Sequence, residues 1–192
     1  MDLIKLSIEN SIATKQHILD NPALLDNIST VADVMTKALR EGKRILWCGN
    51  GGSAADAQHL AAELSGRFYY ERPPLNSEAL HCNTSYLTAV ANDYGYDFIY
   101  SRMIDGACHA GDVLVGISTS GNSNNIYNAF RKAKELGVIT VAMTGENGGK
   151  MKELADFLLN VPSTDTPRIQ ESHIMIGHII CQIIEAQLFP RV

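Results

Sequence analysis

Two short stretches constrain this 192-residue chain more than any others: CGNGGSAADAQH, Cys48 to His59, and ISTSGNS, Ile117 to Ser123. Each follows a short apolar run and opens a helical pattern, with Gly, Ser and Asn packed into the turn between. Such turns aim backbone N–H groups and hydroxyls outward at a helix N-terminus, where the dipole favours an anion. Two of them in one chain imply a pocket for a phosphorylated polar ligand.

The rest of the chain repeats the strand–helix alternation. Strands are expected at Arg44 to Cys48, Glu78 to Cys82, Asp112 to Ile117, Val138 to Met143 and Phe157 to Val161. Helices are expected at Ser53 to Ser65, Ser85 to Ala91, Tyr96 to Ala107, Ser123 to Leu136 and Pro167 to Leu188, with a short one at Gly148 to Ala155. This order predicts an α/β fold: a doubly wound, mostly parallel sheet with helices on both faces. A helical pair precedes it. Ile4, Ile8 and Ile12 recur every four residues and mark an amphipathic helix over Leu3 to Asp20. Asn21 then reads as an N-cap, Pro22 as the first helical residue and Gly42 as a left-handed stop after a helix running to about Glu41. The expected organisation is therefore residues 1–41 as N-terminal helices packing on the core and residues 42–192 as one domain. The wide apolar stripe of the first helix predicts packing across a subunit interface. The last helix, with isoleucines at 169, 174, 176, 179, 180, 183 and 184, is apolar almost all round and points the same way.

Charge and composition exclude several classes. The net charge is −5 and no basic run exists, which argues against nucleic-acid binding. No apolar run reaches membrane-spanning length and the N-terminus lacks a signal-peptide core, so the expected location is cytoplasmic. Cys48, Cys82, Cys108 and Cys181 form no CxxC pair and read as reduced packing residues, with Cys48 close enough to the first turn to line a pocket. Gly49 to Ala54 matches the loose dinucleotide pattern GxGxxA. The acidic residue in range, Glu71, is not at a strand end, however. Gly145 to Lys150 is one residue short of a P-loop and is followed by Met151.

Three constellations carry chemistry. Ser118, Thr119, Ser120 and Ser123 place four hydroxyls within six residues, where an ordinary N-cap needs one; a phosphate monoester would use them all. Asp56, His59 and Glu63 lie on one face of the helix after the glycine turn. Gln170, Ile174, Gly177 and His178 share a face of the last helix, where Gly177 leaves room beside His178 for a close-approaching ligand or backbone. His173 points elsewhere and is the alternative.

Together CGNGGS, HLAAELSGRF, Ala91-Asn92-Asp93, GISTSGNS, TGENGGKM and RIQESHIMIGH resemble the phosphoheptose isomerases of the SIS-domain family over essentially the whole chain. The resemblance implies a cytosolic homotetramer with active sites near subunit interfaces. Its substrate would be a sugar phosphate, sedoheptulose 7-phosphate, isomerised to D-glycero-D-manno-heptose 7-phosphate for bacterial lipopolysaccharide or capsule. It implies Glu63 and His178 as the acid–base pair. Asn50, Gly51, Gly52, Ser53, Glu63, Asn92, Asp93, Ser118, Thr119, Ser120, Ser123 and Gln170 would contact substrate. His59, Glu63, Gln170 and His178 would hold one zinc ion per subunit. A glutamate held tightly by zinc is a poorer base, so the metal is either structural or shifts when substrate arrives. Gln170 and His178 are about 12 Å apart along an ideal helix. Either the side chains lean together, the helix is irregular, or ligands come from two subunits. Related SIS proteins that bind the replication initiator DnaA share features such as Glu71-Arg72-Pro73 and the C-terminal Leu188-Phe189-Pro190, but by resemblance they lack the glutamate and the second helix histidine kept here. A sugar-phosphate-sensing SIS domain is the third alternative.

Overall fold

The computed structural model describes residues 2–191. Five parallel strands form one sheet: β1 (Ile45–Gly49), β2 (Ser77–Ala79), β3 (Val113–Ser118), β4 (Ile139–Thr144) and β5 (Phe157–Asn160), in the order β2-β1-β3-β4-β5. The helices are α1 (Leu3–Leu19), α2 (Pro22–Arg40), α3 (Gly52–Ser65), α4 (Thr84–Tyr94), α5 (Ile99–Ala107), α6 (Asn124–Glu135) and α7 (Thr166–Leu188).

The central strands are buried on both faces, and their residues alternate between two cores. Ile45, Trp47, Val113, Val115, Val141 and Met143 pack with α2, α3 and α7. Leu46, Cys48, Leu114 and Ala142 pack with α4, α5 and α6. Ile18 at the end of α1 and Leu24, Ile28 and Val31 of α2 join the first core, so the N-terminal helices complete that layer.

Local signals behave as the sequence predicts at α2. Asn21 accepts a hydrogen bond from the Leu24 amide at 3.1 Å, Pro22 starts the helix and Gly42 takes a φ of 74° after its end. Elsewhere boundaries move. The helix expected from Tyr96 begins as a 3-10 turn, Tyr96–Phe98, after Gly95, and becomes α-helical only at Ile99. The short helix expected over Gly148 to Ala155 is a single 3-10 turn, Lys150–Glu153. The weak second strand is an edge of three residues, Ser77–Ala79, set by pairing Ile45 to Ser77.

Helix α7 is enclosed by this one chain more fully than its composition suggests. Ile169, Ile176, Ile180 and Ile184 are buried, and Ile179 is the isoleucine of α7 left exposed. The outward apolar face lies instead on α1, where Ile4, Ile8 and Ile12 are 69%, 55% and 62% exposed. All four cysteines are free. Cys48, Cys108 and Cys181 are buried, and burial raises all three thiol pKa values (Cys108 and Cys181 to about 12), so they pack rather than react. Among the described residues no helix is long and apolar enough to cross a membrane.

His173, the alternative histidine of α7, is a core residue with no exposure. Its Nε2 lies 3.0 Å from the Thr144 carbonyl oxygen, which can only accept, so Nε2 carries the proton and the buried Nδ1 has no partner. Burial lowers its pKa from the ordinary 6.5 to about 4. The native state thus resists a proton that the unfolded chain takes up. Stability from this group is complete above pH 6.5 and is lost as pH falls towards about 4, by up to about 3 kcal/mol. Urea unfolding between pH 7 and pH 4.5 should show this loss, and His173→Gln should flatten the profile. An unchanged slope in the variant would assign the acid sensitivity to other groups.

Candidate active site

The order β2-β1-β3-β4-β5 reverses direction between β1 and β3. In open parallel sheets the crevice beyond the carboxyl ends of the strands at such a switch is where ligands bind. Both motif turns leave from it, since Gly49 at the end of β1 pairs with Ile117 of β3.

The serine turn after β3 is arranged around hydroxyls. Ser118 and Ser123 Oγ atoms are 2.9 Å apart, and Ser118 and Ser120 Oγ atoms 3.5 Å apart. Ser120 Oγ accepts from the Asn122 amide at 3.1 Å. Ser123 stands at the N-cap of α6 but makes no side-chain capping bond, because its hydroxyl is turned toward Ser118. The first amides of α6 therefore keep donors, save that of Ile126, which the Asn125 side chain takes. Thr119 and Ser120 also line a cavity of about 290 Å³ bounded by Asn122, Glu146, Thr164 and Ile169.

Across the switch, Asn50 is held by two residues that motif reading missed. Its Oδ1 accepts from Asn125 Nδ2 at 2.8 Å and from the Tyr96 hydroxyl at 3.0 Å, and its Nδ2 donates to Asn125 Oδ1 at 2.9 Å. Neither partner carries a motif signal, since Asn125 sits inside a helix and Tyr96 in a turn far along the chain. Gly51 and Gly52 are exposed and Ser53 is buried at the start of α3. A Cβ on Gly52 would lie 2.6 Å from Gln170 Nε2, so the missing side chain is what lets the Gln170 amide reach the N-terminal turn of α3.

Two turns further down α3 lies a cluster of three donors. His59 Nε2 is 3.0 Å from His178 Nε2 and 3.1 Å from Glu63 Oε1, and one donor atom from each residue lies within 4.8 Å of the others. The rings of His59 and His178 meet edge to face at 5.2 Å, and the Phe68 ring covers His178 at 5.6 Å. Desolvation and the neighbouring His59 lower the His178 pKa, against the pull of Glu63, and so favour neutral imidazole. Two imidazole nitrogens and a carboxylate oxygen converging on one point are a donor set suited to a divalent metal ion with a further position open. Asp56, on the same face, keeps one buried carboxylate oxygen without a partner, and burial raises its pKa.

The candidate residues divide into groups. His59, Glu63 and His178 meet. Gln170 sits at Gly52, about 12 Å along α7 from His178, and α7 is a regular helix through both. Asn92 and Asp93 are exposed near the end of α4, where Asn92 donates to Asp93 at 2.9 Å, and make no hydrogen bond to the other candidates among the described residues. The space expected beside His178 is not free for a ligand. A Cβ on Gly177 would collide with the Leu60 side chain of α3, so this glycine serves helix packing.

A family profile described as "SIS domain" matches residues 9–145. A phosphoheptose isomerase of Sulfurimonas denitrificans is 54% identical over 186 residues, 97% of this chain and 95% of that protein. The solved phosphoheptose isomerase of Neisseria gonorrhoeae superposes with a TM-score of 0.89 at 43% identity, over 95% of this chain and 97% of the other. That of Francisella tularensis gives 0.91 at 37% identity, over 95% and 96%.

The Leu60–Gly177 contact can be tested by overpacking. Gly177→Ala should cost about 1–3 kcal/mol, seen as a lower thermal midpoint. Adding Leu60→Ala to Gly177→Ala should cost less than the sum of the single changes, because both act on one contact. Strict additivity in the cycle would separate the two residues.

Proposed function

The chain belongs to the SIS-domain family, among its phosphoheptose isomerases, and from that premise we propose that it converts sedoheptulose 7-phosphate to D-glycero-D-manno-heptose 7-phosphate. The chain is an isomerase. The observation that carries the reading is the convergence of Glu63 with His59 and His178 where α3 meets α7, in a chain that also carries a serine-lined turn after β3.

In this reading the serine turn holds the phosphate through Ser118, Thr119, Ser120 and Ser123 and the free amides of α6. Asn50, Gly51, Gly52, Ser53, Gln170, Asn92 and Asp93 position the sugar. Glu63 takes the proton from C1 of the open-chain ketose and returns it to C2 of the enediol. His178, neutral by virtue of its surroundings, moves the proton between the two oxygens. Zinc is the metal proposed for His59, Glu63 and His178; Gln170, held at Gly52 about 12 Å along α7 from His178, would join this set only from a second subunit. When bound the metal would stabilise the negative charge that develops on the sugar oxygens.

The pair of residue ranges 1–41 and 42–192 is proposed as interface helices and isomerase domain, in a cytoplasmic homotetramer. The exposed Ile4, Ile8 and Ile12 and the open position of the histidine cluster support an assembly that covers both. The product would enter bacterial surface heptose, for lipopolysaccharide or capsule.

Purified protein incubated with sedoheptulose 7-phosphate should form the aldose, and Glu63→Gln should lower kcat by at least about 10²-fold with fold and phosphate affinity kept. Normal turnover by that variant would remove Glu63 from proton transfer. Replacing Ser118 and Ser120 together by Ala should raise KM by about 10–100-fold, the effect of losing hydrogen bonds to a charged group. A change in kcat alone would place the phosphate elsewhere.

A further inference from the structure

We propose that Arg72 and Glu185 are positioning residues for the His59–Glu63–His178 cluster, a buried ion pair that fixes the last turn of α3 against α7. Arg72 lies in the irregular segment between α3 and β2, among Pro73, Pro74 and Glu71. Its side chain and that of Glu185 are nevertheless each 1% exposed, and Arg72 Nε donates to Glu185 Oε1 at 3.1 Å.

The remaining guanidinium donors go to the end of α3. Arg72 Nη2 donates to the Glu63 carbonyl at 2.8 Å, and Nη1 to the Leu64 and Gly66 carbonyls at 2.7 and 3.0 Å and to Pro73 O at 3.1 Å. The last carbonyls of a helix have no partner within it, and a cation there also complements the dipole. One of the carbonyls held is that of Glu63 itself.

Glu185 completes the tie from the other side. Its Oε1 accepts from the Phe68 amide at 3.0 Å and its Oε2 from the Tyr69 amide at 2.8 Å. It follows His178 by seven residues, two helical turns, and so lies on the same face of α7. Phe68 is the residue whose ring covers His178. One carboxylate thus ties Phe68 directly, and Glu63 through Arg72, to the face that carries His178. Well-packed apolar residues could stabilise the same place at least as well as a buried pair. What this pair adds is directional bonding, and the bonds end on the cluster.

The turnover arm of the test rests on the proposed isomerase reading; the spectroscopic arm does not. Glu185→Gln keeps the side-chain volume and leaves Arg72 without its counter-charge. It should lower kcat at least tenfold with KM within twofold of wild type. It should also shift the His59 and His178 imidazole resonances in ¹H–¹⁵N spectra of metal-free protein. Val31→Ala, in the α2 core, should lower the thermal midpoint and move neither readout. Should Glu185→Gln fail to fold, Arg72→Lys makes the same comparison, since it keeps the charge opposite Glu185 and loses the fork to the carbonyls of Glu63 and Leu64. A folded variant that loses stability as Val31→Ala does, yet keeps wild-type kcat and imidazole spectrum, would overturn the proposal, as would a rise in KM alone. If wild-type protein turns over no ketose, the isomerase reading falls and the imidazole spectra alone decide this one.

Discussion

The seating of Leu60 over Gly177 is the contact on which the reactive geometry depends. His59 precedes Leu60 and His178 follows Gly177, so each imidazole is one residue from the contact that joins α3 to α7. The absence of a side chain at Gly177 lets the helices approach, and the leucine fills the space left. Apolar packing tolerates little change in volume, so the 3.0 Å separation of the two Nε2 atoms follows from the core behind them. The hydrophilic cluster is placed by a hydrophobic contact.

The same logic operates at the other end of α3. The sheet reverses its winding between β1 and β3, which opens a crevice at their carboxyl ends. The N-terminal turns of α3 and α6 both face that crevice, and α7 returns across it with Gln170 against Gly52. A ligand lying there would meet helix amides and hydroxyls, a lining that suits a phosphate. The Ser118 hydroxyl lies within hydrogen-bond reach of those of Ser120 and Ser123.

Much of this was legible in the primary structure, for identifiable reasons. The buried strands appear as short apolar runs because both faces are covered. Asn21, Pro22 and Gly42 announce α2 because capping is local chemistry, decided within a few residues. The spacing of His59 and Glu63 is likewise local. What did not show through was long-range. Gly177 read as room for a ligand or a close-approaching backbone because nothing nearby in sequence says that the Leu60 side chain fills it. Nothing near Arg72 in sequence marks it as buried, because its carboxylate partner is 113 positions away. Asn125 and Tyr96 were missed for the same reason, as each bonds Asn50 from a different element. The all-round apolar pattern of α7 suggested a helix needing a second subunit, whereas α2, α3 and the sheet bury most of it and leave the outward isoleucines on α1.

The amino-acid order by itself determined the kind of layers, the two anion-seeking turns, and a carboxylate and an imidazole one turn apart on α3, because periodicity, capping and turn chemistry act over a few residues. Only the tertiary structure decided that His178 joins them, that Gln170 stands instead at the head of α3, and that His173 is a neutral core residue on a backbone carbonyl. Those outcomes depend on which helix packs on which and in what register, and register is set by contacts between residues 29 to 119 positions apart.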